Sequence, residues 1–334
     1  MNSVTRPHRS HLVQWAEQRP EVLVLSADLT SSCEADLFRD AYPERFFSMG
    51  MAEQNMIGFA AGLAREGFSP WVHTFAVFLT RRVFDQVAMS VAYPNLPVRL
   101  VGFLPGVTTP GGVTHQAIDD VALMRVLPNL TIVDTGDATE VLSALDAVQD
   151  VPGPVYLRML RGVVPRLFPA AEPLVVGRSR TLCRGEDITV LSSSICTEHA
   201  MRAVAALRRR GVGVSHVHVS TLKPFPDQGV IDSIASAGRG VITVENHSVI
   251  GGLGSATAEL MATVGTGTRL LRLGLQDRYA QGASVGYLLA KHGMDAPAVV
   301  RAAQDLLGRT LDIPEHELVA DVTLPDDSER VEDL

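Results

Sequence analysis

The chain has 334 residues, of which 46% are hydrophobic and 20% charged, a composition typical of a globular protein long enough for about two domains. Its formal net charge of −8 argues against nucleic acid as a partner, although a local arginine cluster can still bind an anion. No segment approaches the ~20 apolar residues that a membrane-spanning helix needs, so we expect no membrane association.

The N-terminal segment and the cysteines indicate a cytoplasmic protein. Residues 1–20 contain no apolar core of signal-peptide length. Cys33, Cys183 and Cys196 form neither a close pair nor a metal-ligand spacing, which is typical of reduced thiols. We therefore expect no metal ligands in this chain.

Apolar, β-rich runs alternate with helical patterns along the first half of the chain. Strands are predicted at 21–27, 70–76, 97–103, 130–134 and 154–158, and helices at 51–65, 78–92 and 138–147. This alternation predicts an open, mainly parallel α/β sheet, and the continuous apolar strands indicate burial on both faces. The first domain is expected to span residues 1–165.

The pattern breaks and then resumes in the second half. Residues 166–186 contain Pro169 and Pro173 and no clear periodicity, so a linker is expected there. A second α/β domain is expected over 187–310, with strands at 187–193, 214–220, 240–246 and 269–275. Its "ENHSVIGGLG" string is an incomplete dinucleotide fingerprint, which we interpret as turn and packing geometry. Residues 311–334 are acidic and predict a surface strap or a partly disordered tail.

One carboxylate stands at the start of the helix predicted at 51–65. Glu53 follows a Gly-containing turn in the string "MGMAEQNMIGFAAG". It can be an ordinary first-turn acid that the helix dipole favours. It can also be a partly buried carboxylate that hydrogen-bonds a ligand nitrogen, and apolar neighbours such as Met49, Met56 and Ile57 favour this second interpretation.

The stretch Gly50-Met51-Ala52-Glu53-Gln54 resembles a motif of the pyrimidine-binding domain of transketolases and of the related deoxyxylulose-phosphate synthases. The resemblance implies that Glu53 activates thiamine diphosphate. A carboxyl group bonded to N1′ of the aminopyrimidine favours the imino tautomer, which can take the proton from the thiazolium carbon. The resemblance also implies a thiamine diphosphate-binding fold for the first domain and a transketolase C-terminal fold for the second.

Two aromatic residues follow the strand predicted at 70–76. Phe75 and Phe78 fall on family positions that wall the pyrimidine pocket, although aromatic pairs at this spacing are also common in helix packing. Arg81 stands where the synthases place an arginine, which implies a cofactor contact. Arg82 is expected on a solvated helix face.

The loop "TPGGVTHQAIDD" follows the strand predicted at 97–103 and resembles the transketolase segment "D-G-x-T-H-Q". The resemblance implies that His115 faces the substrate, where an imidazole can bond a hydroxyl or move a proton. Gly111 stands where the family has a substrate-reading Asp, and Phe103 where it has a second substrate-binding His. These departures predict an apolar wall and an altered substrate preference.

Four further residues fall on ligand-binding positions of the family. Asp28 corresponds to an Asp near the cofactor, and Ser32 to a serine that binds substrate phosphate, although both suit an ordinary turn or helix cap. Arg161 corresponds to a phosphate-binding arginine, which suits a bidentate anion clamp, and Arg6 to another such arginine.

The resemblance covers about residues 6–307. Complete transketolases begin with a domain that binds diphosphate and magnesium through a "G-D-G" stretch, and no such stretch occurs here. The chain therefore resembles the C-terminal subunit of a split transketolase. A separate N-terminal subunit would hold the diphosphate and most contacts to Mg²⁺, and self-association to an α2β2 heterotetramer is expected.

The implied function is transfer of a two-carbon ketol unit from a ketose to an aldose, with sugars or sugar phosphates as substrates. Two alternatives stay open: the β-subunit of a 2-oxoacid dehydrogenase, and a non-catalytic regulatory subunit. The "AEQN" and "GVTHQ" strings favour the transketolase, and the joint presence of Glu53, Phe75, Phe78 and His115 argues against a regulatory role.

Overall fold

The computed structural model describes residues 2–319, which form one seven-stranded, one five-stranded and one two-stranded sheet with helices packed around them. The strands are β1 (Ser3–Thr5), β2 (Val22–Ser26), β3 (Phe46–Ser48), β4 (Ser69–Phe75), β5 (Arg99–Phe103), β6 (Thr131–Asp134), β7 (Val155–Met159), β8 (Val163–Pro165), β9 (Arg180–Cys183), β10 (Ile188–Ser192), β11 (Val214–His218), β12 (Thr221–Lys223), β13 (Gly240–Ser248) and β14 (Leu270–Leu275). The helices are α1 (Pro7–Ala16), α2 (Asp36–Ala41), α3 (Glu53–Arg65), α4 (Ala76–Thr80), α5 (Phe84–Gln86), α6 (Asp120–Arg125), α7 (Ala138–Gln149), α8 (Cys196–Arg209), α9 (Gln228–Ala235), α10 (Leu253–Val264), α11 (Val285–Lys291), α12 (Ala296–Leu307) and α13 (His316–Val319). Within the described range, no helix is both long and apolar enough to cross a membrane.

The seven-stranded sheet has the order β12-β6-β7-β5-β4-β2-β3 and is parallel except for the pair β12–β6. Strands β2, β5, β6 and β7 are buried along their whole length, as the apolar runs predict for a sheet covered on both faces. The register places Phe75 opposite Phe103 and Phe103 opposite Met159. The carboxyl ends of β4, β5 and β7 therefore lie side by side.

The five-stranded sheet has the order β14-β13-β10-β11-β9 and is parallel except for β9. The predicted class, two mainly parallel α/β units, is confirmed. β9 lies inside the predicted linker, and β12 lies in the second half of the chain but pairs with β6 of the first sheet. The domain limits given above stay a prediction.

The helix predicted at 78–92 is divided in the structure. α4 ends at Thr80, a turn follows at 81–83, and α5 continues into a π-helix at Val87–Ala92. Val83 leaves helical geometry with φ −121°. Arg81 and Arg82 therefore lie in a turn and not on the face of a continuous helix.

A buried ionic network joins the two sheets. The Arg158 guanidinium donates to Asp120 at 2.8 Å, to Asp134 at 2.7 Å and to the backbone oxygen of Asn246 in β13 at 3.0 Å. Tyr156 also donates to Asp120, at 2.7 Å. Burial lowers the pKa of Arg158, but its two carboxylate partners outweigh this and raise it above the usual value. The network fixes the second sheet against the carboxyl end of the first.

Candidate active site

The predicted site residues gather at the carboxyl edge of the seven-stranded sheet. Asp28 follows β2, Phe75 ends β4, Phe103 ends β5, and Arg161 lies two residues beyond β7. Because these strands are parallel neighbours, their ends meet at one edge. Open α/β sheets bind their ligands at this edge.

Glu53 is the first residue of α3, and its side chain is only 2% exposed. Gly50 precedes it with φ +66°, a conformation that glycine adopts without strain and that turns the chain from β3 into α3. Met56 and Ile57 are completely buried on the same helix. Both oxygens of Glu53 accept a hydrogen bond from Arg82 Nη1 at 2.8 Å. The carboxylate is thus buried and ion-paired, unlike a solvated first-turn acid.

Arg82 is a residue of this site that the sequence did not identify. Its side chain is exposed to solvent, as expected, but its guanidinium also contacts Glu53 and lies 4.6 Å from the centroid of the Phe78 ring. Gln54 Nε2 donates to the backbone oxygen of Arg82 at 3.1 Å and fixes the turn against α3. Two adjacent arginines give no sequence signal that one of them pairs with Glu53, because that contact arises from tertiary packing.

Phe75, Phe78 and His115 form one aromatic cluster. The two phenyl rings are nearly parallel, with centroids 6.0 Å apart and planes at 25°. The imidazole stands edge-on to both, at 6.2 Å from Phe75 and 5.6 Å from Phe78. Phe75 is completely buried, whereas Phe78 is partly exposed. The structure thus brings these three predicted residues together and links them to Glu53 through Arg82.

Gly111 sets the space available to His115. A Cβ atom at position 111 would lie 3.1 Å from Cβ and Cγ of His115, closer than side chains normally pack. His115 also lies against Thr114, whose Oγ1 is 2.9 Å from the imidazole Nδ1. The absence of a side chain at Gly111 therefore lets the imidazole lie against the loop backbone.

Arg81 holds the His115 loop. Its Nε lies 2.9 Å from both carboxylate oxygens of Asp119, and its Nη2 donates to the backbone oxygen of Gln116 at 3.3 Å. Gln116 Nε2 in turn donates to the backbone oxygen of Gln281, in the second half of the chain, at 3.2 Å. The loop is therefore anchored from both sides, and a direct contact of Arg81 with a cofactor stays a prediction.

Phe103 has no exposed surface. Its ring packs against His8 and His73, at centroid distances of 5.5 and 5.9 Å, and the two imidazole Nε2 atoms are 3.0 Å apart. Burial lowers the pKa of His73 to about 4 and that of His8 well below its usual value, so both are neutral near pH 7. The role of Phe103 as an apolar wall for a substrate stays a prediction.

Arg6 and Arg161 lie at one place in the fold. The backbone N–H of Arg6 donates to the oxygen of Gly162 at 2.6 Å, and Arg161 lines a small cleft with Thr108. Glu34, which the sequence did not identify, is buried beneath them and accepts the N–H of Gly162 at 2.8 Å. Burial raises the pKa of this carboxyl group. The backbone of Arg6 thus lies beside the segment that carries Arg161, and a role of either arginine in binding an anion stays a prediction.

Asp28 and Ser32 lie between β2 and α2. Asp28 is exposed and has φ +62°, a conformation that Asp tolerates better than most residues, and Ser32 is partly buried. Their ligand contacts stay predictions. Over residues 2–319, no group of three or more His, Cys, Asp or Glu side chains is arranged to hold a metal ion.

Comparison with known proteins agrees with this layout. Residues 7–166 match the family described as transketolase, pyrimidine binding domain, and residues 177–299 match transketolase, C-terminal domain. The chain is 39% identical to a putative uncharacterized transketolase family protein, y4mN, of Sinorhizobium fredii, over 87% of this chain and 85% of that one.

Two further relatives belong to split enzymes. The chain is 37% identical to the 6-deoxy-6-sulfo-D-fructose transketolase subunit SqwH of a Clostridium species, over 89% of this chain and 92% of that one. A solved structure described as a split gene transketolase, inactive beta4 tetramer, is 37% identical and superposes with a TM-score of 0.81, covering 90% of this chain and 97% of that one. The chain therefore belongs to the transketolase family and corresponds to the pyrimidine-binding and C-terminal part of its split members.

Proposed function

We propose that this chain is the pyrimidine-binding subunit of a thiamine diphosphate-dependent transketolase. A separate subunit would bind the diphosphate and Mg²⁺, and two copies of each chain would form the active enzyme. The observation that carries the proposal is the buried carboxylate of Glu53 at the head of α3, joined through Arg82 to the Phe78 ring. The similarity to SqwH, which is described as a subunit, supports the need for a partner.

The residues present suit an aminopyrimidine. Such a ring needs a carboxylate to bond its N1′ nitrogen and a flat apolar surface on which to stack. Glu53 supplies a carboxylate withdrawn from water, and Phe78 supplies an aromatic ring with partly exposed surface. Phe75 lies behind Phe78 and keeps it in place, since it is 1% exposed and its ring is nearly parallel.

In the proposed mechanism, each residue of the candidate site has a separate role. When bound, thiamine diphosphate would supply a nucleophilic thiazolium carbon for the ketose carbonyl. Glu53 shares a proton with N1′ and so holds the pyrimidine in its reactive tautomer. His115, edge-on to the phenyl rings, donates to or accepts from a substrate hydroxyl and can move a proton there. The anchors at Arg81 and Gln116 keep the imidazole in position.

The substrate end of the site differs from that of typical transketolases. Arg161 and Arg6 provide cationic groups for an anionic tail, either a phosphate or the sulfonate of a sugar such as the one named for SqwH. Phe103 and Gly111 remove a polar pair that reads hydroxyls in the family. A substrate hydroxyl left unpaired on binding costs roughly 1–3 kcal/mol. We therefore propose poor use of the ordinary pentose phosphates.

Reconstitution tests this function. The chain is mixed with the diphosphate-binding transketolase subunit of the same genome, thiamine diphosphate and Mg²⁺, and ketol transfer is measured for several donors and acceptors. We expect activity only with both chains, its loss in Glu53→Gln, and its retention in Glu66→Gln, which alters an exposed acid at the other end of the same helix. Tight, Mg²⁺-dependent cofactor binding by the isolated chain would contradict the proposal.

The donor screen tests the substrate preference separately. Xylulose 5-phosphate with ribose 5-phosphate is compared with 6-deoxy-6-sulfofructose and with unphosphorylated ketoses. We expect a lower kcat/KM for the pentose phosphate pair than for at least one other donor. If the pentose phosphates are the best substrates, Phe103 and Gly111 do not determine specificity.

A further inference from the structure

Arg82 makes, within this chain, the two contacts that we assign to the aminopyrimidine ring. Its Nη1 lies 2.8 Å from each oxygen of Glu53, and its guanidinium carbon lies 4.6 Å from the centroid of the Phe78 ring. A guanidinium is planar and carries N–H donors at its edge, so it pairs with a carboxylate and stacks on an aromatic face. An aminopyrimidine has the same two properties.

We propose that Arg82 is an internal competitor for the pyrimidine site; this inference rests on the function proposed above. Arg82 and the ring cannot both bond Glu53, because the carboxylate is 2% exposed and both of its oxygens already face Nη1. The guanidinium must therefore leave before the cofactor binds. Since its side chain is 47% exposed, it can turn outward into solvent without any change in the core.

The turn itself need not move during this exchange. Gln54 Nε2 holds the backbone oxygen of Arg82 at 3.1 Å, so the movement is confined to the side chain. The neighbouring Arg81 does not take part, since its guanidinium is engaged by Asp119 and by the backbone of Gln116. The competition thus depends on a single residue of the turn at 81–83.

The competition has a consequence for assembly. In the cofactor-free chain Arg82 neutralises a buried carboxylate, which would otherwise be costly to keep in its site. The same pairing lowers the apparent affinity for the cofactor, because only chains in which Arg82 has left Glu53 can bind it. The larger the fraction of chains with Arg82 in the site, the weaker the binding. Contacts made to the diphosphate by the partner subunit then offset this loss, so that the cofactor binds the complex in preference to the isolated chain.

Cofactor titration of the reconstituted complex tests the competition. Dissociation constants for thiamine diphosphate in Mg²⁺ are measured by calorimetry for the wild type, Arg82→Gln and Arg269→Gln. Arg269 is a matched control, because it forms an exposed ion pair with Asp305 and its loss changes the net charge equally. We expect Arg82→Gln to bind the cofactor roughly 3- to 30-fold more tightly and Arg269→Gln to bind it unchanged. Unchanged or weaker binding by Arg82→Gln would overturn the proposal.

A double-mutant cycle on the full chain without cofactor tests the contact itself. Thermal unfolding is compared for the wild type, Glu53→Gln, Arg82→Gln and the double variant, and we expect clearly non-additive effects. Additive effects would show that the two side chains do not interact and would overturn the competition. If the effects are non-additive but no complex binds thiamine diphosphate, the proposed function fails and the competition fails with it. If the complexes of the wild type and Arg82→Gln bind thiamine diphosphate equally well, the competition is overturned but the proposed function is not.

Discussion

Glu245 is a buried acid whose titration should be visible in the stability of the protein. Its carboxylate accepts the backbone N–H groups of Leu253 and Gly254, at 2.6 and 2.8 Å, at the start of α10. A Cβ atom on Gly252 would lie 2.0 Å from one of its oxygens, so any other residue there would displace the carboxylate. The backbone N–H groups at the end of this Gly-rich string, which resembles a dinucleotide fingerprint, therefore bind the glutamate at its start.

Burial raises the pKa of Glu245 from 4.5 to about 7, and the two backbone N–H groups offset only part of this effect. A carboxyl group with a raised pKa in the folded state favours folding while it is protonated. This contribution is complete below pH 4.5 and is lost as the pH rises through 7. At about 1.4 kcal/mol per pH unit between the two values, the contribution of Glu245 to the free energy of unfolding falls by about 2 kcal/mol from pH 5 to pH 7.

Urea unfolding at pH 5, 6 and 7 measures this effect. Other groups also titrate, but they are common to the wild type and to Glu245→Gln, so the difference between these two proteins isolates Glu245. We expect the variant to be less stable than the wild type at pH 5 and to lose most of that disadvantage by pH 7. Glu259→Gln, an exposed acid on α10, is the control and should follow the wild type. A difference between Glu245→Gln and the wild type that is the same at all three pH values would refute the reasoning.

Three further predictions concern the core and the aromatic cluster. Arg158→Met leaves two buried carboxylates without their cation and should lower the free energy of unfolding by about 3–5 kcal/mol; a loss below 1 kcal/mol in urea unfolding would show that the network does not stabilise the fold. Phe78→Ala should weaken thiamine diphosphate binding by the complex with only a small change in Tm. Phe75→Ala, at a completely buried position, should instead lower the free energy of unfolding by about 3–5 kcal/mol. A large fall in Tm for Phe78→Ala would support simple core packing. Burial lowers the pKa of His216 to about 3, so the contribution of His216 to the free energy of unfolding should fall as the pH drops from 6.5 toward 3. The stability of the wild type relative to His216→Gln should therefore decrease over that range; a difference between the two proteins in urea unfolding that stays constant would contradict this.

The sequence identified most strands of the fold because their apolar runs reflect burial on both faces of a parallel sheet. Each of the nine predicted strands is present with shifts of one or two residues at its ends. The strands that the sequence did not show are short and lie at sheet edges. β9 and β12 have only one neighbour each, so their composition is not constrained by burial between two strands.

The sequence predicted those parts of the site in which one motif determines both the backbone conformation and the functional side chain. Gly50 permits the turn that places Glu53 at the head of α3, and the structure buries this carboxylate as the motif implies. The role of Arg82 depends on the break in the helix at 81–83, and that of Glu34 on backbone N–H groups from distant parts of the chain. Such contacts arise from tertiary packing and leave no periodicity in the sequence.

Exchange of the thiazolium C2 proton with deuterium tests the proposed role of Glu53 most directly. It is measured by NMR on thiamine diphosphate bound to the reconstituted complex, after acid quench, for the wild type, Glu53→Gln and the control Glu66→Gln. We expect the bound cofactor to exchange this proton at least about 100-fold more slowly in Glu53→Gln than in the wild type. Glu66→Gln should match the wild type. An exchange rate in Glu53→Gln equal to that of the wild type would show that Glu53 does not activate the cofactor and would contradict the proposed function.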